Sequence, residues 1–328
     1  MAYIVGLMNH FAAIQRLTSE TGAQISLNAA TFILEAKLRN RYFHFYPQFL
    51  TKRDGRFAQT STITDDTIGF AGWRPYQPFT FPMAADKLQF KQYFQARGQR
   101  MPTTWLDPRQ ADRDFLVKRS VGSFGLQMSG PFRTAERTAF DLGPAATGAG
   151  QVFAEAFIEG TIVKVWFWGR RAFFAHRQSY PEISGDGVTS ASELAQARMQ
   201  LAADAWGKSP DAAVARACLR YQGHEPGAVL KAGTTAWIDY RYGRSYVKVG
   251  AIRASDDALG SFDEGARAQI DAAGFVAAQA LKEIAPVPVA YAMDAMLDAE
   301  GKLWWLEMNT NPTVPPEGYV AIFGDLFA

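Results

Sequence analysis

Residues 292–312, AMDAMLDAEGKLWWLEMNTNP, decide how the rest of the chain is read. Two apolar runs flank the turn-forming stretch DAEG, which is the pattern of a β-hairpin. Asp294 and Glu307 stand thirteen residues apart, and Asn309 follows two residues later. An even loop centred on Ala299–Glu300 sets residue 292 opposite 307 and residue 294 opposite 305. The strand period of two then turns Asp294, Glu307 and Asn309 to one face; an odd loop breaks that arrangement. Two carboxylates and an amide oxygen among Met, Leu and Trp make a hard-oxygen set suited to Mg²⁺ bridging phosphates. The same spacing also fits the solvated face of an amphipathic sheet.

Working outward, FLVKRSVGSFG (115–125) places Lys118 at the end of a β-like run, before a loop bearing Gly122 and Gly125. Backbone N–H groups of such a loop can cradle phosphate oxygens while the ammonium adds charge, although no Walker GK[ST] follows. In DKLQFKQYFQARG (86–98), Asp86 is a helix N-cap, Phe90, Tyr93 and Phe94 share a face, and Gly98 suits the C-terminal cap. VFAEAFI (152–158) and IVKVWFW (162–168) read as strands. Ser190 and Glu193 form a capping box opening a helix to about Ala205. Asp263 caps a longer helix whose Ile270, Ala277, Leu281 and Ile284 keep helical spacing. The first 85 residues read as a small α/β unit, with an apolar start at Tyr3–Met8 and helical spacing through Phe11, Ile14 and Leu17. The segment Gly69–Pro82 holds three prolines and five aromatics and reads as a packed loop or linker.

Composition removes several classes. The chain has 328 residues, 48% apolar and 20% charged, which excludes global disorder. A net charge of +2 is far from the basic footprint of a nucleic-acid binder. Cys218 is the single cysteine, so an internal disulfide framework and a cysteine-rich zinc site are both excluded. Cys218 lies in an Ala-rich helical stretch and reads as a small buried residue. The four histidines, His10, His44, His176 and His224, lack zinc-ligand spacing. No apolar stretch reaches membrane length, and the first basic residue is Arg16, so no positive leader flank is present. The expectation is a soluble, cytoplasmic protein with no nucleic-acid or membrane partner.

AADKLQFKQYFQARGQRMPTTW, FLVKRSVGSFG, VFAEAFIEG, HRQSYPEISGDGVTSASEL and the 292–312 hairpin follow one another in an order that resembles the ATP-grasp superfamily. The likeness is to D-alanine–D-alanine ligase, glutathione synthetase and the ATP-grasp part of cyanophycin synthetase, over residues 84–316. It implies an α/β (α+β) fold, with two α+β subdomains gripping ATP. The implied domains are an N-terminal unit (1–85), a subdomain with the lysines and glycine loop (86–158) and a subdomain with the metal and substrate site (159–328).

The resemblance also implies roles. Lys87 and Lys118 look like the two phosphate-contacting lysines, and Val121–Gly125, with Ser123 and Gly125, like the loop over the triphosphate. Glu155 looks like the hinge acceptor for the adenine amino group, with Ala156 and Ile158 reading the adenine edge. Asp294, Glu307 and Asn309 look like the metal ligands. Arg177 and the GDG loop around Asp186 resemble a region near the reacting phosphoryl group, and Asn311 falls where related ligases contact substrate. The chain departs from the pattern at three places. Ile162 stands where an acid often holds the ribose, leaving Glu159 as a substitute. Lys164 replaces an arginine of some relatives. Ala292 replaces the oxyanion arginine of D-alanine ligases, leaving Arg177, Arg241 or Arg253 for that role. The implied activity is an ATP-dependent carboxylate–amine ligase using ATP and one or two Mg²⁺ (or Mn²⁺). Its substrate would be a small molecule or peptide, and a homodimer would be in keeping with the family. A kinase on the same scaffold, or a nucleotide-binding protein without turnover, are the alternatives.

Overall fold

The computed structural model describes residues 7–53, 56–122, 127–206, 211–242, 256–285 and 288–328. Helix α1 (Leu7–Thr21) turns His10, Ala13, Ile14 and Leu17 inward, the 3–4 spacing of a buried stripe. Five strands follow: β1 (Gln24–Leu27), β2 (Leu34–Leu38), β3 (Arg41–Arg53), β4 (Arg56–Thr60) and β5 (Thr67–Arg74). They form one sheet in the order β1-β2-β3-β4, with β5 also on β3. Strand β5 occupies the start of the segment expected to be a loop. Its prolines begin only at Pro75, so residues 67–74 keep every N–H needed for pairing.

Helices α2 (Pro82–Ala85) and α3 (Lys87–Gln95) lead into a second sheet. Its strands are β6 (Thr104–Trp105), β7 (Phe115–Arg119), β8 (Met128–Phe132) and β9 (Val152–Ala156), in the order β6-β9-β7-β8. The third sheet begins with β10 (Thr161–Trp168) and β11 (Arg171–Gln178). An excursion then carries β12 (Glu182–Ser184), α4 (Ala191–Trp206), α5 (Ala212–Tyr221) and β13 (Thr235–Trp237), with β12 paired to β13. Helix α6 (Glu264–Lys282) returns the chain to β14 (Ala290–Leu297) and β15 (Leu303–Asn309), closing the order β11-β10-β14-β15. Helix α7 (Gly318–Leu326) ends the described chain. Every strand pairing among the described residues is antiparallel, so the class is α+β rather than alternating α/β.

The caps expected from sequence form. Asp86 accepts from Leu88 and Gln89 N–H, Asp263 from Ala266 N–H, and Ser190 and Glu193 cap α4 reciprocally. The largest core lies behind the third sheet. There Val163, Val165, Phe167, Ala295 and Trp305 meet Ile270, Ala277 and Leu281 of α6 and Phe90 and Phe94 of α3. Each such large side chain stabilises the fold by roughly 1.5–3 kcal/mol on burial. A second core joins the first sheet to both chain ends: Phe45 stacks on Phe323 of α7 at 4.7 Å, and Ile14 and Leu17 of α1 close it. The excursion packs on the second sheet through Leu116, Val214, Cys218 and Tyr240. Cys218 is fully buried, and burial pushes its thiol up. Among the described residues, no helix is long and apolar enough to cross a membrane. With α6 covering its back, the third sheet presents one face for chemistry.

Candidate functional site

Register builds the site. Lys164 of β10 pairs with His176 of β11 on one side and with Asp294 of β14 on the other, and Asp294 pairs with Glu307 of β15. Directly opposed residues point to the same face. His176, Lys164, Asp294 and Glu307 therefore form a row across all four strands. Asn309 joins from the next row, opposite Ala292. The expected pairing of 294 with 305 does not occur. The loop is odd, with Leu297 paired to Leu303, which alone would have sent Glu307 to the other face. A bulge at Leu306, between the Asp294–Glu307 and Ala295–Trp305 pairs, restores the facing.

The row is closely bonded. Lys164 Nζ lies 2.7 Å from Asp294 Oδ1, and Asn309 Nδ2 donates to Asp294 Oδ2 at 3.2 Å. Lys87 arrives from α3, with its Nζ 3.2 Å from Glu307 Oε2 and donating to the Gly122 carbonyl at 2.6 Å. Its backbone is fixed by Asp86, which caps α3 and accepts from Ser120 Oγ, while Lys87 N–H donates to the Ser120 carbonyl. Burial pushes the Asp294 carboxyl up to about 6; Lys164 opposes this and Glu307 adds to it. Burial also acts upward on Glu307, but Lys87, Lys164 and Lys118 outweigh it and hold that carboxyl below its ordinary range.

Beneath the row sits a buried triad. Glu155 of β9 bridges Lys118 of β7 and Lys91 of α3, one carboxylate oxygen to each ammonium. Burial acts upward on Glu155, and the two lysines overcome it. Burial lowers Lys91 despite Glu155. Lys91 and Lys164 were not among the residues expected at the site. The first was signalled by its spacing of four from Lys87 on one helix face, and the second by strand parity with Asp294.

The other residues expected at the site are placed as follows. Arg177 pairs with Val163 and so lies on the α6 face, with its guanidinium 4.2 Å from the Phe262 ring centroid. Its neighbour His176 is the residue that joins the row, with Nδ1 3.3 Å from Tyr242 OH. Arg241 is buried, and its three guanidinium nitrogens are engaged by Asp239 and Asp211. Neither arginine reaches the row. Asp186 is consumed locally, accepting from Val188 and Thr189 N–H and from Thr189 Oγ1, bonds that lower its carboxyl to about 2. Both Glu155 oxygens are paired with lysines, and Ala156 N–H donates to the Thr103 carbonyl. The Ile158 carbonyl accepts from Tyr180 OH at 3.5 Å. Glu159 is exposed and accepts from Tyr221 OH at 3.1 Å. Asn311 clips the 75–81 loop through Phe79 N–H and C=O. Ser123, Gly125 and Arg253 lie outside the described residues.

Among the described residues, no three His, Cys, Asp or Glu side chains converge as a metal cluster. The donor set is instead two carboxylates and an amide on one sheet face. That set fits Mg²⁺, which takes one or two carboxylates and completes its shell with phosphate oxygens and water.

No family model matches the chain, and no curated protein matches it. Solved structures do. A bifunctional glutathione synthetase from Pasteurella multocida is 13% identical with a TM-score of 0.44, covering 96% of this chain and 43% of that one. A D-alanine–D-alanine ligase from Bacillus anthracis is 14% identical with a TM-score of 0.40, covering 74% and 66%. A biotin carboxylase from Campylobacter jejuni, solved as a β,γ-ATP complex, is 13% identical with a TM-score of 0.39, covering 73% and 42%. The chain spans less than half the length of the glutathione synthetase and of the biotin carboxylase. The polar row occupies the open face of the third sheet, and the two lysines of the triad approach it from the second sheet and α3.

Proposed function

We propose that the chain is an ATP-dependent ligase that joins a carboxylate to an amine through an acyl phosphate. The observation that supports this best is the row Lys164–Asp294–Glu307, joined by Lys87 and flanked by Asn309. Four lysines (87, 91, 118 and 164) stand against three carboxylates (155, 294 and 307), an excess of positive charge that suits a polyanion. In this reading Lys87, Lys118 and Lys164 hold the phosphate oxygens and neutralise the transferring group. Asp294, Glu307 and Asn309 would hold Mg²⁺, which supplies charge neutralisation between phosphates when bound. The substrate carboxylate attacks the γ-phosphorus, the bond to the β-phosphate oxygen breaks, and ADP leaves. The amine then attacks the acyl carbon, loses a proton, and inorganic phosphate departs.

A second reading, phosphoryl transfer that stops at a stable phosphorylated product, is favoured by one observation: Arg177 and Arg241 do not reach the row. The test is incubation with Mg-ATP, pools of acids and amines, and hydroxylamine. ADP together with a hydroxamate supports the ligase, and its mass names the acid. ADP with a phosphorylated product and no hydroxamate supports the second reading. Glu307→Gln is expected to abolish either turnover, and normal turnover in that variant would refute the site.

A further inference from the structure

Buried polar atoms lacking partners are not spread evenly through this molecule. Setting aside Lys91 Nζ and Glu155 Oε2, which pair with each other, eleven side-chain atoms are of this kind among the described residues, and seven belong to the N-terminal layer: His10 Nε2, both amide atoms of Gln48, Gln59 Oε1, Ser61 Oγ, and Nε and Nη1 of Arg74. Each such atom ordinarily costs about 1–3 kcal/mol, so a concentration of them marks a place built for something polar.

Strand register brings three of these side chains together. Arg74 is opposite Tyr46, Gln48 opposite Gly72, and Leu50 opposite both Gly69 and Gln59. Positions 46, 48 and 50 alternate onto one face of β3, so Gln48, Gln59 and Arg74 share it. That face is opposite the one built from Phe45, Phe49, Phe70 and Trp73. Arg74 and Gln48 are wholly buried. Among the described residues no carboxylate pairs with Arg74, and burial lowers its guanidinium. Among the described residues its side chain makes one hydrogen bond, from Nη2 to the Pro312 carbonyl, and Gln59 Nε2 donates to the Asn311 carbonyl. The segment that leaves the metal-facing strand after Asn309 thus lies across this polar face. Pro312 is three positions beyond Asn309, a reach of at most about 11 Å.

We propose that Arg74, with Gln48 and Gln59, forms an anion subsite that anchors a second, non-reacting carboxylate of the acid substrate. The substrate class is therefore a small dicarboxylate, one end held at Arg74 and the other presented to the row. This rests on the ligase reading for the second half only. A buried, unpaired guanidinium needs an anion, and a planar carboxylate matches its fork. The anchored end cannot be the reacting one, because a carboxylate clamped in a buried ion pair is a poor nucleophile. Anion entry replaces the two carbonyl contacts that Arg74 and Gln59 make.

The test is isothermal titration of the full chain with glutarate and with glutamate, using butyrate as the single-carboxylate control. Glutarate or glutamate is expected to bind at least about tenfold more tightly than butyrate, roughly the worth of one charge-assisted bond. Arg74→Met keeps the volume and removes an unpaired buried charge, so it is expected to fold with an unchanged or higher Tm and to lose that preference. Gln48→Leu leaves the charge and is expected to weaken binding severalfold, which keeps the test open if Arg74→Met does not fold. Equal binding of glutarate and butyrate, or a preference that survives in both variants, overturns the proposal and identifies the atoms as a water-filled structural pocket. Selective dicarboxylate binding without ATP turnover would leave the subsite standing and remove the ligase reading. Turnover on a monocarboxylate, with Arg74→Met unaffected, would do the reverse.

Discussion

Glu155→Gln is expected to destabilise the protein in a manner that depends on pH. The substitution keeps the side-chain shape but removes the one carboxylate between the buried ammoniums of Lys91 and Lys118. Breaking a buried ion pair in this way ordinarily costs about 3–5 kcal/mol. Lys91, already lowered by burial, offers an escape by giving up its proton. From an unfolded value near 10.4, at about 1.4 kcal/mol per unit, that release costs roughly 3 kcal/mol at pH 8 and roughly 1 kcal/mol near pH 9.7. The sign is fixed: the folded variant binds fewer protons than the unfolded chain below that value, so its stability rises with pH. Lys91→Met leaves a neutral Lys118–Glu155 pair and is expected to cost less, without the pH slope. Combining it with Glu155→Gln is expected to recover part of the loss. Urea unfolding followed by the fluorescence of the eight tryptophans, at pH 7.5 and 9.5, measures all three. If Glu155→Gln matches Lys91→Met and is flat with pH, the triad is not the buried charge system described.

Three further outcomes are expected. His10 is buried against Tyr319 and its imidazole is lowered to about 3, chiefly by burial, so its folded state stays neutral. Stability is then lost as pH falls from 6.5 toward 3, by roughly 2 kcal/mol at pH 5; His10→Gln should flatten that slope in urea midpoints compared at pH 7 and 5. Gly274→Ala should lower Tm although alanine favours helices, because its Cβ would meet the Arg170 carbonyl at 2.5 Å and Phe167 Cε1 at 2.9 Å, at about 1–3 kcal/mol. Asp86→Ala should cost about 1–2 kcal/mol by removing the cap of α3 and should reduce ATP turnover beyond that loss, since Ser120 and Lys87 are held through it; unfolding curves and ADP release separate the two effects.

Much of the frame was legible because it is local. The caps at Asp86, Ser190 and Asp263 and the hairpin around DAEG are written within a few residues. Asp294 and Glu307 end side by side, as their spacing suggested, but by a different route: an odd loop and a bulge at Leu306 that no count from the turn could supply. One residue decides a strand face, and the register sets His176 in the row with Lys164 and Arg177 opposite Val163 on the other face. Lys91 and Arg241 depend on partners distant in the chain, Glu155 and Asp211, which periodicity does not reveal. Strand β5 was hidden by the prolines that follow it, and the seating of α7 against β3 depends on the two ends of the chain meeting.

The bulge has a mechanical consequence. Between the Leu297–Leu303 pair and the Ala292–Asn309 pair, one arm of the hairpin advances five residues and the other six. Two ribbons of unequal length fastened edge to edge cannot lie straight, and a bulged strand bends and gains twist. The surplus residue steers the chain after Asn309 out of its own sheet and onto the first, where the Asn311 and Pro312 carbonyls are met by Gln59 and Arg74. A lineage that dropped Leu306 would keep its carboxylates face to face and lose the curve, separating the pairing of Asp294 with Glu307 from the docking of the following segment on the first sheet.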